Sequence, residues 1–96
     1  MLAKKDNILT QRKIQVINKF GLHARPAAML VQMASKFKSE IRLIKEDLEA
    51  NAKSILSVMM LAAEESSFLI IKAEGQDEEQ AVETIAKLFE EKFGEE

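Results

Sequence analysis

The stretch GLHARPAAMLV, residues 21–31, marks the point at which the spacing of apolar residues in this 96-residue chain changes. Before it, KIQVIN (13–18) alternates apolar and polar residues, which predicts a strand with one buried face. From Pro26 onward the apolar spacing becomes helical, and proline, which lacks an N–H, suits the first turn of a helix. The predicted buried stripe of this helix is Ala27, Leu30, Val31, Ala34 and Phe37.

The remaining segments predict three more strands and two more helices. SEIRLIKED (39–47) alternates again and a short strand follows near Leu48–Ala50; their connection has no glycine, so a favoured tight hairpin turn is not expected. KSILSVMMLAAEE (53–65) reads as a helix with Ser54 as N-cap, and FLIIKA (68–73) reads as a central strand. Asp77 is predicted to cap a last helix, with Gln80 completing a capping box. The buried stripe of that helix is predicted to be Ala81, Ile85, Leu88 and Phe89, flanked by Val82 and Phe93.

The order β-α-β-β-α-β-α predicts a two-layer α+β fold, an antiparallel sheet with helices on one face. The length allows one domain, assigned to residues 11–96, after a flexible N-terminal tail over residues 1–10. Lysine and arginine are scattered and the net charge is −2, which argues against nucleic-acid binding. The chain has no cysteine and one histidine, so a metal site is not expected. No cofactor is expected either. No apolar run is long enough to span a membrane, and a cytoplasmic location is expected.

The single histidine, His23, lies at the predicted joint between strand and helix. A helix N-terminus offers free N–H groups and partial positive charge, which bind anions and favour a neutral imidazole. Arg25 adds a cation that can bind phosphate oxygens, and Gly21 allows a sharp turn before the site. These residues could accept a phosphoryl group. Taken alone, the pattern also fits a capping or surface histidine, with Gly21 and Pro26 as loop punctuation.

The string GLHARPAAMLV resembles the active-site segment of the HPr family, the histidine-containing phosphocarriers of the bacterial phosphoenolpyruvate-dependent phosphotransferase system. SEIRLI, NAKSIL and AEGQDEEQA resemble further family segments in the same order, so the resemblance covers roughly residues 12–94. It implies an open-faced β-sandwich with strand order 1-4-2-3, covered on one face by three helices. It also implies that His23 takes a phosphoryl group on Nδ1 from phospho-Enzyme I and passes it to EIIA-type domains, with Arg25 neutralising the phosphate.

Two further roles follow from the same resemblance. Ser54 matches the serine that HPr kinase/phosphorylase modifies in many members, although it is a good N-cap whether or not it is phosphorylated. Residues matching the family's docking surface are Leu22, Ala28, Val31, Ile55, Leu56 and Met59, of which Leu22 and Leu56 are expected to be exposed. A carrier that exposes its site to two partners is most simply a monomer, and we do not expect an enzyme with its own turnover.

The branch of the family stays open. Phe20 stands where many sugar-type members carry a small polar residue, and the serine segment lacks the usual glycines. Phe20 and the ending LFEEKFGEE are similar to the nitrogen-related branch. The alternative function is a regulatory binding module in an incomplete or nitrogen-related pathway, controlled at Ser54 and docking a transcriptional regulator.

Overall fold

The computed structural model describes residues 10–95, which form a four-stranded antiparallel sheet with helices on one face. The strands are β1 (Thr10–Gln15), β2 (Glu40–Lys45), β3 (Leu48–Asn51) and β4 (Phe68–Glu74), in the order β1-β4-β2-β3. The helices are α1 (Ala24–Ala34), α2 (Ile55–Met60) and α3 (Glu78–Glu90), followed by a 3₁₀ turn at Lys92–Gly94. The fold class and the strand order implied by the resemblance are therefore confirmed.

The core lies between the sheet and the helices. In β4 the buried residues alternate along the strand, which leaves its other side chains on the uncovered face. Large, fully buried side chains come from both layers, among them Leu30, Ile41, Leu43, Leu69, Ile71, Ile85 and Phe89. Within residues 10–95, no helix has the length and apolar character needed to cross a membrane.

The first strand begins earlier than the sequence predicts. It starts at Thr10, whereas the alternation placed the strand at 13–18 and the tail over residues 1–10. The other nine residues of that predicted tail lie outside the described residues. Backbone pairing nevertheless continues past the strand, because Val16 N donates to Ser67 O at 2.8 Å and Ser66 N donates to Val16 O at 2.7 Å. The chain therefore stays extended almost to the histidine joint.

Helix α3 begins without the predicted capping box. Asp77 is its N-cap residue, but the carboxylate makes no capping bond to the helix. Instead it accepts hydrogen bonds from Lys38 N and Ser39 N, both at 2.9 Å, and from the Ser39 hydroxyl. These bonds, above all the one from the Ser39 hydroxyl, lower the pKa of Asp77 to about 2. Asp77 thus ties the start of α3 to the connection between α1 and β2.

Two connections differ from the sequence prediction. Strands β2 and β3 are joined by the two residues Glu46 and Asp47, so a tight hairpin forms without glycine, with Glu46 at a φ of +55°. Helix α2 ends at Met60 rather than at residue 65, because Ala62 adopts a φ of +49° and turns the chain away.

Candidate functional site

The joint before α1 is held by a short network around Gly21. Asn18 Nδ2 donates to Gly21 O at 2.7 Å, and Leu22 N donates to Ala63 O at 2.9 Å. Gly21 adopts a φ of +66°, and a Cβ there would lie 2.3 Å from Ala63 O. Only glycine fits both the backbone angle and this close approach. The joint is therefore fixed against the segment that follows α2.

His23 is the N-cap residue of α1, with an extended backbone and a side chain that is 41% exposed. The backbone N–H groups of Ala24 and Arg25 have no acceptor among residues 10–95. Pro26, the third helical residue, has no N–H, and Ala27 N already donates to His23 O at 3.0 Å. The helix start thus offers two free donors beside the imidazole, an arrangement that suits an anion.

Helix α1 begins at Ala24, two residues before Pro26, where the sequence predicts its start from the spacing of apolar residues. Arg25 precedes proline, which disfavours helical geometry, and yet it lies in the first turn. Its guanidinium is 55% exposed, and Nη2 donates to Phe93 O at 3.2 Å. Arg25 therefore stands at the helix start with donors still available to a ligand.

A carboxylate from the far end of the described chain contacts the histidine. Glu95 Oε2 lies 3.0 Å from His23 Nε2 and 3.8 Å from Arg25 Nη2. Its other oxygen, Oε1, accepts from Asn18 Nδ2 at 3.3 Å. The Glu95 side chain is only 18% exposed, and it joins the histidine, the arginine and the joint in one polar cluster.

The segment after α3 reverses direction to bring Glu95 to this place. Lys92, Phe93 and Gly94 have φ angles of +56°, +53° and +79°, so three consecutive residues adopt left-handed backbone geometry. Phe93 is 1% exposed, and its ring packs edge-on against Phe89 with centroids 4.9 Å apart. Burial of this ring offsets the cost of the left-handed turn and anchors the segment.

Sequence reasoning missed Glu95 because 72 positions separate it from His23 and no local pattern links them. Asn18 was also missed, although it is fully buried; its Oδ1 has no partner among the described residues. In the sequence, Phe20 indicates only a similarity to the nitrogen-related branch of the family. It is 70% exposed, and its ring stands edge-on to the imidazole at 6.1 Å. The one signal in the sequence for this contact was a large apolar side chain three positions before the histidine.

The predicted docking residues divide into three groups. Leu22 is only 4% exposed, so the expectation of its exposure is wrong: its side chain points into the core under the joint. Ala28 and Val31 are half-buried. The residues on α2 are exposed, and together with Met60 they form one face of that helix, opposite the buried Val58. We call this face the α2 patch: Ile55, Leu56, Met59 and Met60.

Ser54 caps α2 as the sequence predicts. Its hydroxyl oxygen accepts a hydrogen bond from Ser57 N at 3.3 Å, and its backbone oxygen accepts from Val58 N at 3.0 Å. The side chain is half-buried and directly precedes the α2 patch. A change of charge at Ser54 would therefore act on the edge of that patch.

Comparison with known proteins identifies the family. The family profile described as "PTS HPr component phosphorylation site" matches residues 10–91. The chain is 47% identical over 85 residues to the phosphocarrier protein HPr of Treponema pallidum, covering 88% of this chain and 97% of that protein. A crystal structure of HPr-C-His from Thermoanaerobacter tengcongensis matches with a TM-score of 0.88 and 47% identity, covering 91% of this chain and 98% of the other. A structure described as an HPr dimer, from the same organism, matches with a TM-score of 0.73 and 49% identity, covering 85% and 94% of the two chains. The chain belongs to the HPr family and is a phosphocarrier protein of the phosphotransferase system.

Proposed function

We propose that His23 accepts a phosphoryl group on Nδ1 from phospho-Enzyme I and passes it to an EIIA-type domain. The observation that carries this proposal is the position of His23 at the start of α1, beside two N–H groups that have no acceptor within the described residues 10–95. The Nδ1 lone pair forms a bond to phosphorus while the bond between phosphorus and the donor breaks. In a second transfer, a nucleophilic nitrogen of the acceptor's histidine forms a bond to phosphorus while the bond between Nδ1 and phosphorus breaks, so the carrier returns unchanged.

Electrostatic stabilisation of the phosphoryl group is the role proposed for Arg25 and for the first turn of α1. The free amides of Ala24 and Arg25 add donors at the positive end of the helix dipole, and the guanidinium adds a permanent cation. Pro26 keeps the first turn in helical geometry without adding a third donor.

The test is labelling with phosphoenolpyruvate and Enzyme I, followed by ³¹P NMR and by acid treatment of the product. Wild-type protein is expected to take up one acid-labile phosphate, and His23→Ala is expected to take up none while remaining folded. Arg25→Ala keeps the nucleophile His23 but lacks the cation that stabilises the phosphoryl group. It should therefore still accept phosphate, but at a reduced rate. If His23→Ala became labelled as fast as wild type, the proposal would fail.

Docking is assigned to the α2 patch, the exposed face of Ile55, Leu56, Met59 and Met60. Methionine side chains are flexible and adapt to differently shaped partners, which suits a carrier that meets both a donor and an acceptor. We assign Ala28 and Val31, both half-buried, to the same docking surface. Leu56→Ala should raise the KM of Enzyme I for this carrier and leave the maximal rate unchanged. Phe68→Ala, which removes a 55% exposed ring from the uncovered face of the sheet, is the control.

A second role is regulation through Ser54 by HPr kinase/phosphorylase. The supporting observation is the position of Ser54, the N-cap of α2, which directly precedes Ile55 and Leu56 of the α2 patch. A phosphate there adds negative charge to the docking surface, whereas Ser54→Ala leaves His23 untouched. We expect Ser54→Asp to slow phosphoryl acceptance from Enzyme I, and Ser54→Ala to leave it close to wild type. If Ser54→Asp accepted phosphate at the wild-type rate, this regulatory role would be excluded.

We further propose that the chain works in the cytoplasm as a monomer, since His23 and the α2 patch must both be open to two successive partners. Light scattering coupled to size-exclusion chromatography tests this at the concentrations used for transfer. A mass near 10.8 kDa is expected, and a stable dimer would contradict it.

A further inference from the structure

We propose that Glu95 is a positioning residue for phosphoryl transfer: its carboxylate fixes the proton of His23 on Nε2 and leaves the lone pair on Nδ1 free. This inference rests on the proposed function of His23, which it refines. The contact that carries it is the 3.0 Å distance between Glu95 Oε2 and His23 Nε2.

The tautomer follows from the chemistry of the two groups. A carboxylate can only accept hydrogen bonds, so the imidazole nitrogen that it contacts must carry the proton. In a neutral imidazole the other nitrogen then has the lone pair. The structure thus directs the nucleophilic nitrogen away from Glu95.

The same contact assists the transfer step. When Nδ1 bonds to phosphorus, the imidazole becomes more positive, and the N–H on Nε2 becomes a stronger donor. The carboxylate stabilises this charge without taking the proton, as a buried aspartate does for the histidine of a serine-protease triad. When the bond between Nδ1 and phosphorus breaks, the electron pair returns to Nδ1 and the proton stays on Nε2.

Two observations show that Glu95 is held in place rather than lying at the site by chance. Three left-handed residues turn the chain back toward α1, anchored by the buried ring of Phe93. Both carboxylate oxygens are also engaged, since Oε1 accepts from Asn18 Nδ2 at 3.3 Å, and Asn18 itself holds Gly21. The geometry of the joint and that of the carboxylate are therefore linked.

The variants are Glu95→Ala, which removes the acceptor, and Glu95→Gln, which keeps a neutral one. The matched control is Glu91→Ala, which removes an exposed carboxylate from the same segment. Long-range ¹H–¹⁵N NMR of the unphosphorylated proteins reports which nitrogen of His23 carries the proton. A time course of phosphoryl transfer, quenched at successive times, gives the second-order rate constant for phosphoryl acceptance from phospho-Enzyme I.

We expect the wild-type proton on Nε2, and a measurable Nδ1–H form only in Glu95→Ala. The rate constant should fall about tenfold in Glu95→Ala, near the lower end for a hydrogen bond to a charged group. It should fall less in Glu95→Gln and change less than about twofold in Glu91→Ala, as for exposed charges outside a site.

Three results would overturn the proposal: a wild-type proton on Nδ1, ring nitrogens of His23 that are unchanged in Glu95→Ala, or an unchanged rate despite changed spectra. Failure of the proposed function gives a different result, in which wild-type protein accepts no phosphate at all. The ring-nitrogen spectra need no phosphoryl donor, so they decide the assignment of Glu95 in either case.

Discussion

Replacement of Gly21 by alanine is expected to destabilise the fold far more than the same change at Gly94. Both glycines have left-handed backbone, with φ angles of +66° and +79°. At Gly21 the added Cβ would lie 2.3 Å from Ala63 O and 2.9 Å from Glu64 Cα, both backbone atoms that cannot rotate away. At Gly94 nothing lies within 4 Å of the added Cβ. The pair therefore separates steric overlap from backbone strain.

The magnitude follows from these two contributions. Left-handed geometry costs an alanine about 1–2 kcal/mol, and this applies to both variants. Forced displacement of packed atoms adds about 1–3 kcal/mol at Gly21 alone. We therefore expect Gly21→Ala to lower the free energy of unfolding by about 2–5 kcal/mol and Gly94→Ala by about 1–2 kcal/mol. For a domain of this size each kcal/mol lowers Tm by about 4–8 °C.

Urea unfolding followed by circular dichroism measures both values, with thermal melts as a second readout. Equal losses in the two variants would refute the reasoning, because the steric contact at Ala63 would then contribute nothing. A loss below about 1 kcal/mol for Gly21→Ala would show that the joint adjusts without cost to the added methyl group.

Three other predictions concern stability and docking. Because hydrogen bonds lower the pKa of Asp77 from 3.8 in the unfolded chain to about 2, this carboxylate stabilises the fold above pH 4, and that contribution is lost as the pH falls toward 2. Asp77→Asn should abolish this part of the pH dependence of the urea midpoint, and an unchanged profile would contradict the assignment. Glu46→Gly should raise the free energy of unfolding by up to about 1 kcal/mol, since it relieves left-handed strain at a φ of +55°; a lower Tm would refute this. Leu56→Ala should weaken Enzyme I binding in a titration but leave Tm within a few degrees of wild type, because its side chain is 72% exposed. Binding equal to that of wild type would remove Leu56 from the docking surface.

Patterns local in sequence predicted most of the fold. The alternation in β4 and the helical spacing in α3 each depend on burial of one face, so they are visible in single segments. The capping box at Asp77 failed because a partner distant in sequence, Ser39, competes for the carboxylate. The start of α1 was placed too late because Ala24 and Arg25 belong to the helix but not to its apolar stripe.

The site was predicted only in part for a similar reason. His23 and Arg25 lie in one short motif, whereas Glu95 reaches them through a left-handed turn that depends on tertiary packing of Phe93. Leu22 was expected to be exposed as part of the docking surface, but its side chain lies in the core while its backbone N–H donates to Ala63 O. Contacts of this kind carry no periodic signal in the sequence.

The most direct test of the central claim is to locate the phosphate on protein treated with phosphoenolpyruvate and Enzyme I. NMR of ¹⁵N-labelled protein detects the scalar coupling between phosphorus and the nitrogen to which it is bound. We predict one phosphate per chain, coupled to Nδ1 of His23 and released by acid. An acid-stable phosphate on Ser54, or a coupling to Nε2 of His23, would contradict the account.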